Sequence, residues 1–269
     1  MKTKSGGYYT QNSGRIIIVQ EFIDGYTMGD NEVEDYERIM ESATILGKIV
    51  KELKEYNGLS EEGIIEKKFS KETIQQGIIK MQDLKTELKE DNQYKDKFEE
   101  DLNYKIKISK DIEKNFDFDI IRKLTITNTH GDYCVLQLIY NDEKETTVID
   151  FERAKKLPIV WEIMRSYSYI DKEAKDGELN INTLAQYFKE FSKYVKLNEY
   201  DLKYAAYVYL IQLVTSTFGY KEYNNDYNQT ELLKFAFFRT YLCKYLYENL
   251  EKIGQELSKK VVSYSKYVL

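Results

Sequence analysis

Two carboxylates, Asp132 and Asp150, stand eighteen positions apart at the ends of a stretch that reads as a short apolar β-hairpin. Residues 135–140 and 146–151 have strand character, and Asn141-Asp142-Glu143-Lys144 between them has turn chemistry. Antiparallel pairing sets the outer ends of such a hairpin side by side, so the two carboxylates converge. Converging carboxylates can hold Mg²⁺, which takes a few carboxylates and keeps positions open for phosphate. Alternatively one orients a hydroxyl nucleophile while the other binds the metal. The same spacing also fits two surface turn residues, and spacing alone leaves these readings open. His130, the only histidine in the chain, directly precedes Gly131-Asp132. Its expected role is structural: it fixes the loop through hydrogen bonds rather than acting as a base.

The elements that must position these residues are mostly helical. The first segment reads as a β-hairpin, with a strand at 7–11, a turn at Asn12-Ser13-Gly14 and a stronger strand at 15–22 closed by Ile23-Asp24-Gly25. Two strands alone cannot bury both faces, so this hairpin needs neighbours. Ile39, Met40, Ala43, Leu46, Gly47, Ile49, Val50 and Leu53 recur at helical spacing, and Asn57-Gly58 ends that helix. The charged stretch 60–115 reads as two or three surface helices, with a disordered linker as the alternative. After the 133–151 hairpin, helices are expected at about 159–171, 181–195, 199–218 and 229–264.

Composition narrows the classes. With 42% hydrophobic residues in 269, the chain can bury a sizeable core. The balance of 40 basic against 46 acidic residues, net −6, argues against a broad nucleic-acid footprint; Lys67-Lys68 is only a small local patch. Cys134 and Cys243 form neither a metal-type motif nor a disulfide framework, and read as reduced thiols. No apolar run is long enough to span a bilayer, and Met1 is not followed by a signal-peptide core, so a cytoplasmic protein without a membrane partner is expected.

Thr129-His130-Gly131-Asp132 through Gln137, followed by Val148-Ile149-Asp150-Phe151-Glu152, resembles the HGD…N…IDF pattern of the aminoglycoside phosphotransferase and choline kinase-like family. The pair of blocks at this spacing is specific, whereas either alone is weak. Leu46-Gly47-Lys48-Ile49-Val50 resembles the first large helix of that family's catalytic lobe, and residues 18–25 resemble its hinge. The resemblance implies an α+β, mostly α fold: a protein kinase-like C-terminal lobe at 26–269, with a remnant N-lobe hairpin and hinge at 1–25. It implies ATP (or GTP) and Mg²⁺ as cofactors and the hydroxyl of a small metabolite or aminoglycoside-like compound as phosphate acceptor. Asp132 matches the catalytic aspartate and Asp150 the metal-binding one. Gln137 stands where the family usually has a metal-binding asparagine, one methylene longer. Glu21, Phe22 and Ile23 match the hinge, whose main-chain groups hold adenine.

The sequence departs from the family before the hinge, where neither a GxGxxG loop nor a strand carrying a lysine precedes residue 15. The chain therefore reads as a kinase shortened at its N-terminal side: a shortened gene, a misassigned start, or a homodimer that pairs two hairpins. That departure also supports a second class of reading, a kinase-like binding or regulatory module without phosphoryl transfer. Trp161, Glu162 and Arg165 follow the second aspartate on one helix. They either support the catalytic loop or form core plus an i,i+3 ion pair. Tyr167, Tyr169, Tyr204, Tyr207, Tyr209, Phe218 and Tyr220 can line a substrate pocket or pack the core.

Overall fold

Apolar residues spaced for helices dominate the chain, and the fold follows from burying them together. The computed structural model describes residues 6–18, 21–27, 36–59, 64–141 and 145–265. The two-residue turn Ser13-Gly14 joins β1 (Thr10–Asn12) and β2 (Arg15–Ile17), with Asn12 paired to Arg15. β3 (Tyr26–Thr27), α1 (Tyr36–Leu53), α2 (Ile64–Lys68), α3 (Lys71–Thr86) and α4 (Lys95–Asn115) follow. Four short strands come next: β4 (Ile126–Thr129), β5 (Leu138–Tyr140), β6 (Thr146–Val148) and β7 (Lys155–Pro158). The rest is helical: α5 (Ile159–Ile170), α6 (Lys172–Lys175), α7 (Ile181–Ser192), α8 (Glu199–Thr215), α9 (Tyr220–Asn225) and α10 (Thr230–Ser265). Among the described residues, no helix is long and apolar enough to cross a membrane.

α8 is the centre of the helical packing. Leu202, Ala205, Ala206, Val208, Tyr209, Leu210, Ile211, Leu213 and Val214 are buried around most of its circumference, which marks a helix enclosed by others. It packs against α10, α5, α3 and α4. The α3–α4 stretch, expected as surface helices, is thus part of the core wall. Ile74, Ile78, Met81 and Leu84 on α3, and Phe98, Leu102, Ile108 and Ile112 on α4, are buried. Most of the charges in this stretch occupy the opposite faces, but Asp101 and Lys105 of α4 are buried with the core residues.

The strands form three small sheets. Among the described residues β1 pairs only with β2, and all six of their residues are exposed. β3 pairs with β5 and β5 with β6, in the registers Tyr26 to Tyr140 and Leu138 to Val148. β4 pairs with β7, Ile126 opposite Pro158 and Thr129 opposite Lys155. Gly25 makes the first junction possible: a Cβ there would lie 2.3 Å from the Tyr140 carbonyl oxygen, so the chain approaches β5 closely only with glycine.

Several local expectations are corrected. The hairpin strands span only 138–148, because Val135–Gln137 closes into a 3-10 turn in which Gln137 N donates to Cys134 O at 3.0 Å. Asp132 therefore lies ahead of that turn and not at the start of a strand. The strand expected at 15–22 ends at Ile17; Val19 and Gln20 lie outside the described residues, and Glu21, Phe22 and Ile23 have no strand partner. α9 was not expected. It is short and polar, and it is started by Glu222, whose carboxylate accepts from Gly219 N at 2.6 Å.

The strand that leads to the candidate site is anchored by Asp201 near the start of α8. Its buried carboxylate accepts from Thr125 N (2.8 Å), Thr125 Oγ1 (2.6 Å) and Asn198 N (2.8 Å). Removing it leaves three donors unpaired in a dry place. Asp201→Ala is expected to lower unfolding free energy in urea by about 2 kcal/mol; an unchanged midpoint would refute this anchoring.

Candidate active site

β4 carries the chain into the site and is tethered from two sides. Besides Asp201 at its start, Asn128 Nδ2 donates to Leu53 O and Tyr56 O, each at 2.6 Å, which ties β4 to the end of α1. His130-Gly131-Asp132 then turns sharply. Gly131 has φ +82°, and a Cβ on it would lie 2.0 Å from the Arg153 carbonyl oxygen. The close passage of this loop against the segment before β7 therefore requires glycine.

α5 holds the far side of the loop. Glu162 is fully buried and accepts from Tyr133 N at 3.1 Å. Arg165, one turn on, donates to Tyr133 O at 2.9 Å and pairs with the Asp132 carboxylate. Of the two sequence readings for Glu162 and Arg165, the structure has them gripping the loop; no ion pair forms between them. Burial pushes the Glu162 carboxyl up to about 7, against the opposing pull of the Tyr133 amide and the Arg165 charge.

His130 links the two aspartates. Its ring is buried, and Nε2 lies 2.8 Å from the Ile149 carbonyl oxygen. A carbonyl can only accept, so Nε2 carries the proton. Burial lowers the His130 pKa, while Asp132 and Asp150 both act on it from nearby as opposing negative charges. Phe151 packs on the imidazole with ring centroids 4.5 Å apart. The loop bearing Asp132 and the segment bearing Asp150 are thereby joined through one side chain.

Asp150 itself has φ +67°, ψ +51°, a left-handed backbone rare for a non-glycine residue and enriched at functional positions. Its side chain is exposed and, among the described residues, has no hydrogen-bond or ionic partner. The expected site residues fall into two groups. His130, Asp132, Gln137 and Asp150 sit in one loop cluster, with Ile149 N donating to Gln137 O at 3.0 Å. The Gln137 amide oxygen accepts from Cys134 Sγ. Glu21 and Phe22 are exposed and Ile23 is half-buried; they connect to the cluster through the β3–β5 pairing.

Among the described residues, no three His, Cys, Asp or Glu side chains gather as a metal cage. The arrangement still fits Mg²⁺, which is usually held by one or two carboxylates and completed by water and phosphate oxygens. Asp150 is the free, exposed oxygen donor such an ion requires. An open groove of about 540 Å³ between α1 and β6, lined by Glu41, Lys48, Thr146, Val148 and Phe151, reaches the residue after Asp150. A larger groove of about 880 Å³, lined by Asp111, Phe116, Tyr204, Tyr207, Tyr247 and Glu251, contains neither aspartate. Tyr167, Tyr209 and Tyr220 are core residues.

Sequence reasoning missed Lys68. It was read as part of a small surface patch, yet its ammonium lies 3.4 Å from the centroid of the Trp161 ring, within the electrostatic reach of Asp132. No spacing rule links α2 to this loop; only the packing of α2 on β7 brings Lys68 there.

The charge assignments have a measurable sign. Folded Glu162 keeps its proton up to about 7, whereas an unfolded glutamate releases it near 4.5. Its contribution to stability therefore falls as pH rises through that window. His130 acts oppositely, because the unfolded histidine takes up a proton below about 6.5 that the folded one resists. Glu162→Gln removes the first effect and leaves His130 in place. Urea unfolding across this range should show wild type losing stability relative to the variant as pH rises; drift the other way would overturn the assignment.

No family model and no curated protein matches the sequence. Solved structures do match. An aminoglycoside phosphotransferase from Alicyclobacillus acidocaldarius superposes with a TM-score of 0.56 at 14% identity, covering 99% of this chain and 77% of that one. A spectinomycin phosphotransferase solved with ADP and spectinomycin gives 0.58 at 15% identity, covering 96% and 77%. A choline kinase from Cryptosporidium parvum gives 0.55 at 12% identity, covering 90% and 73%. In its fold, mostly helical with a few small sheets, the chain is similar to these kinase-like phosphotransferases.

Proposed function

We propose that the chain is a phosphotransferase that moves the terminal phosphoryl group of ATP or GTP to the hydroxyl of a small molecule, assisted by Mg²⁺. The observation that carries this reading is the pairing of Asp132 and Asp150 across His130, on a fold similar to kinases. In the reaction the acceptor oxygen forms a bond to phosphorus, the bridging oxygen–phosphorus bond of the nucleotide breaks, and the nucleoside diphosphate leaves. The hydroxyl proton passes to the Asp132 carboxylate, which Arg165 orients. Asp150 would hold the ion, whose chemistry is to neutralise phosphate charge. Gln137, whose main-chain carbonyl accepts from Ile149 N, would be the second residue to hold it, and the main chain at Glu21, Phe22 and Ile23 would face the base. That a fold neighbour was solved with ADP supports nucleotide use.

A second reading has specific support. The Asp132 carboxylate is already paired to Arg165, and the Gln137 amide oxygen is engaged by Cys134. Both fit a kinase-like module that binds ligands without transferring phosphate.

The two readings separate in one experiment. Nucleotide consumption is followed with Mg²⁺ and a panel of alcohols and amino alcohols, and Mg-ATP binding by calorimetry. Asp132→Asn is expected to lower turnover by about 10²- to 10⁴-fold, the usual range for a general base, with nucleotide affinity retained. Asp150→Ala is expected to lose the Mg²⁺-dependent part of nucleotide binding. Equal turnover in Asp132→Asn would end the role assigned to it, and binding without turnover in wild type would favour the module.

A further inference from the structure

Three cations meet beside Asp132. Lys68 comes from α2, Lys155 begins β7, and Arg165 lies on α5 one turn beyond Trp161. The Lys155 side chain borders the loop directly: its Cε lies 3.2 Å from the position of a Cβ on Gly131. Lys68 Nζ sits 3.4 Å from the Trp161 ring centroid and 5.9 Å from that of Phe69. Among the described residues no carboxylate stands at ion-pair distance from it. The nearby carboxyl groups are Asp132, taken by Arg165, and Glu162, which is buried, bonded to the Tyr133 amide and keeps its proton up to about 7.

A partly buried ammonium flanked by two like charges is costly, because burial and repulsion both disfavour it. Both effects act on Lys68, whose pKa is pushed down to about 7 by burial first and then by Lys155 and Arg165. A bound anion would relieve the repulsion and supply charge-assisted hydrogen bonds to ammonium and guanidinium groups. A cationic acceptor would meet three like charges instead. The cluster is built from α2, β7 and α5, whereas the hinge-like segment joins through β3 and β5 and the free carboxylate of Asp150 follows β6. The cluster is therefore separate in origin from the elements assigned to the nucleotide.

We infer that Lys68, Lys155 and Arg165 form a receptor for a carboxylate or phosphate group carried by the phosphate acceptor, so that the acceptor is an anionic hydroxy compound. This inference rests on the transferase reading above.

Trp161 is the only tryptophan in the chain, and Lys68 lies over it, so its emission reports on the cluster. Full-length protein is titrated with inorganic phosphate, and separately with malonate, at constant ionic strength; Mg-ATP binding is measured by calorimetry. Wild type should show a saturable emission change with a Kd in the millimolar range. Lys68→Met and Lys155→Met should each weaken it by about 10-fold, a loss of about 1.4 kcal/mol, with Mg-ATP affinity within about 2-fold of wild type. Lys155→Met leaves the contact of Lys68 with Trp161 in place and serves if Lys68→Met unfolds. A wild type with no saturable change, or an anion effect untouched in both variants, would overturn the inference. So would parallel loss of phosphate and Mg-ATP binding, because the cluster would then serve the nucleotide. Phosphate binding that both variants lose, without any Mg-ATP binding in wild type, would sink the transferase reading and leave the anion site standing.

Discussion

The hydrogen bond from His130 Nε2 to the Ile149 carbonyl is the constraint on which the site depends. It crosses between the loop that bears Asp132 and the segment that bears Asp150, and its histidine side is buried. Without it the Nε2 proton of this buried ring would lack its acceptor, so the bond holds the two segments in position. The neutral ring is part of this: a charged imidazolium would have to be desolvated, and burial already disfavours it. The geometry of two carboxylates is thus set by a group that carries no charge itself.

Around that bond, α5 acts as a clamp. Glu162 takes the Tyr133 amide, Arg165 takes the Tyr133 carbonyl and the Asp132 carboxylate, and Trp161 donates to Gln212 Oε1 at 2.5 Å, which joins α5 to α8. α8 is enclosed by other helices and is buried around most of its circumference. The loop is therefore referenced to the core and not to solvent-exposed elements. The left-handed backbone of Asp150 is tolerated within the same frame, since the ring of Phe151 on one side and the Ile149 carbonyl on the other are both held by His130.

Much of this was legible residue by residue. The helical periods of α1, α7 and α10 are plain in the sequence, because each buries a continuous stripe and period follows burial, whereas α5 and α8, buried nearly all round, are legible as long apolar runs. The glycine between His130 and Asp132 and the turn at Ser13-Gly14 were also legible, since each depends on near neighbours; the turn expected at 141–144 falls largely outside the described residues. Three things were not. The 3-10 turn at Val135–Gln137 has the apolar content of a strand, and its three residues are too few for a period to show. The interior position of α3 and α4 was masked by their charged outer faces. Lys68 gave no signal, because a lysine on a short charged helix looks the same whether it meets water or a tryptophan.

By itself the sequence determined which residues could do chemistry and which segments would coil or extend, because side-chain type and local backbone preference act over a few residues. Only the tertiary structure decided that Arg165 faces Asp132, that Glu162 faces an amide and not its own helical neighbour, and that Lys68 arrives beside them from about sixty positions upstream. Those relations follow from how helices pack on one another. Packing depends on the fit of whole surfaces drawn from distant parts of the chain, which no local pattern encodes.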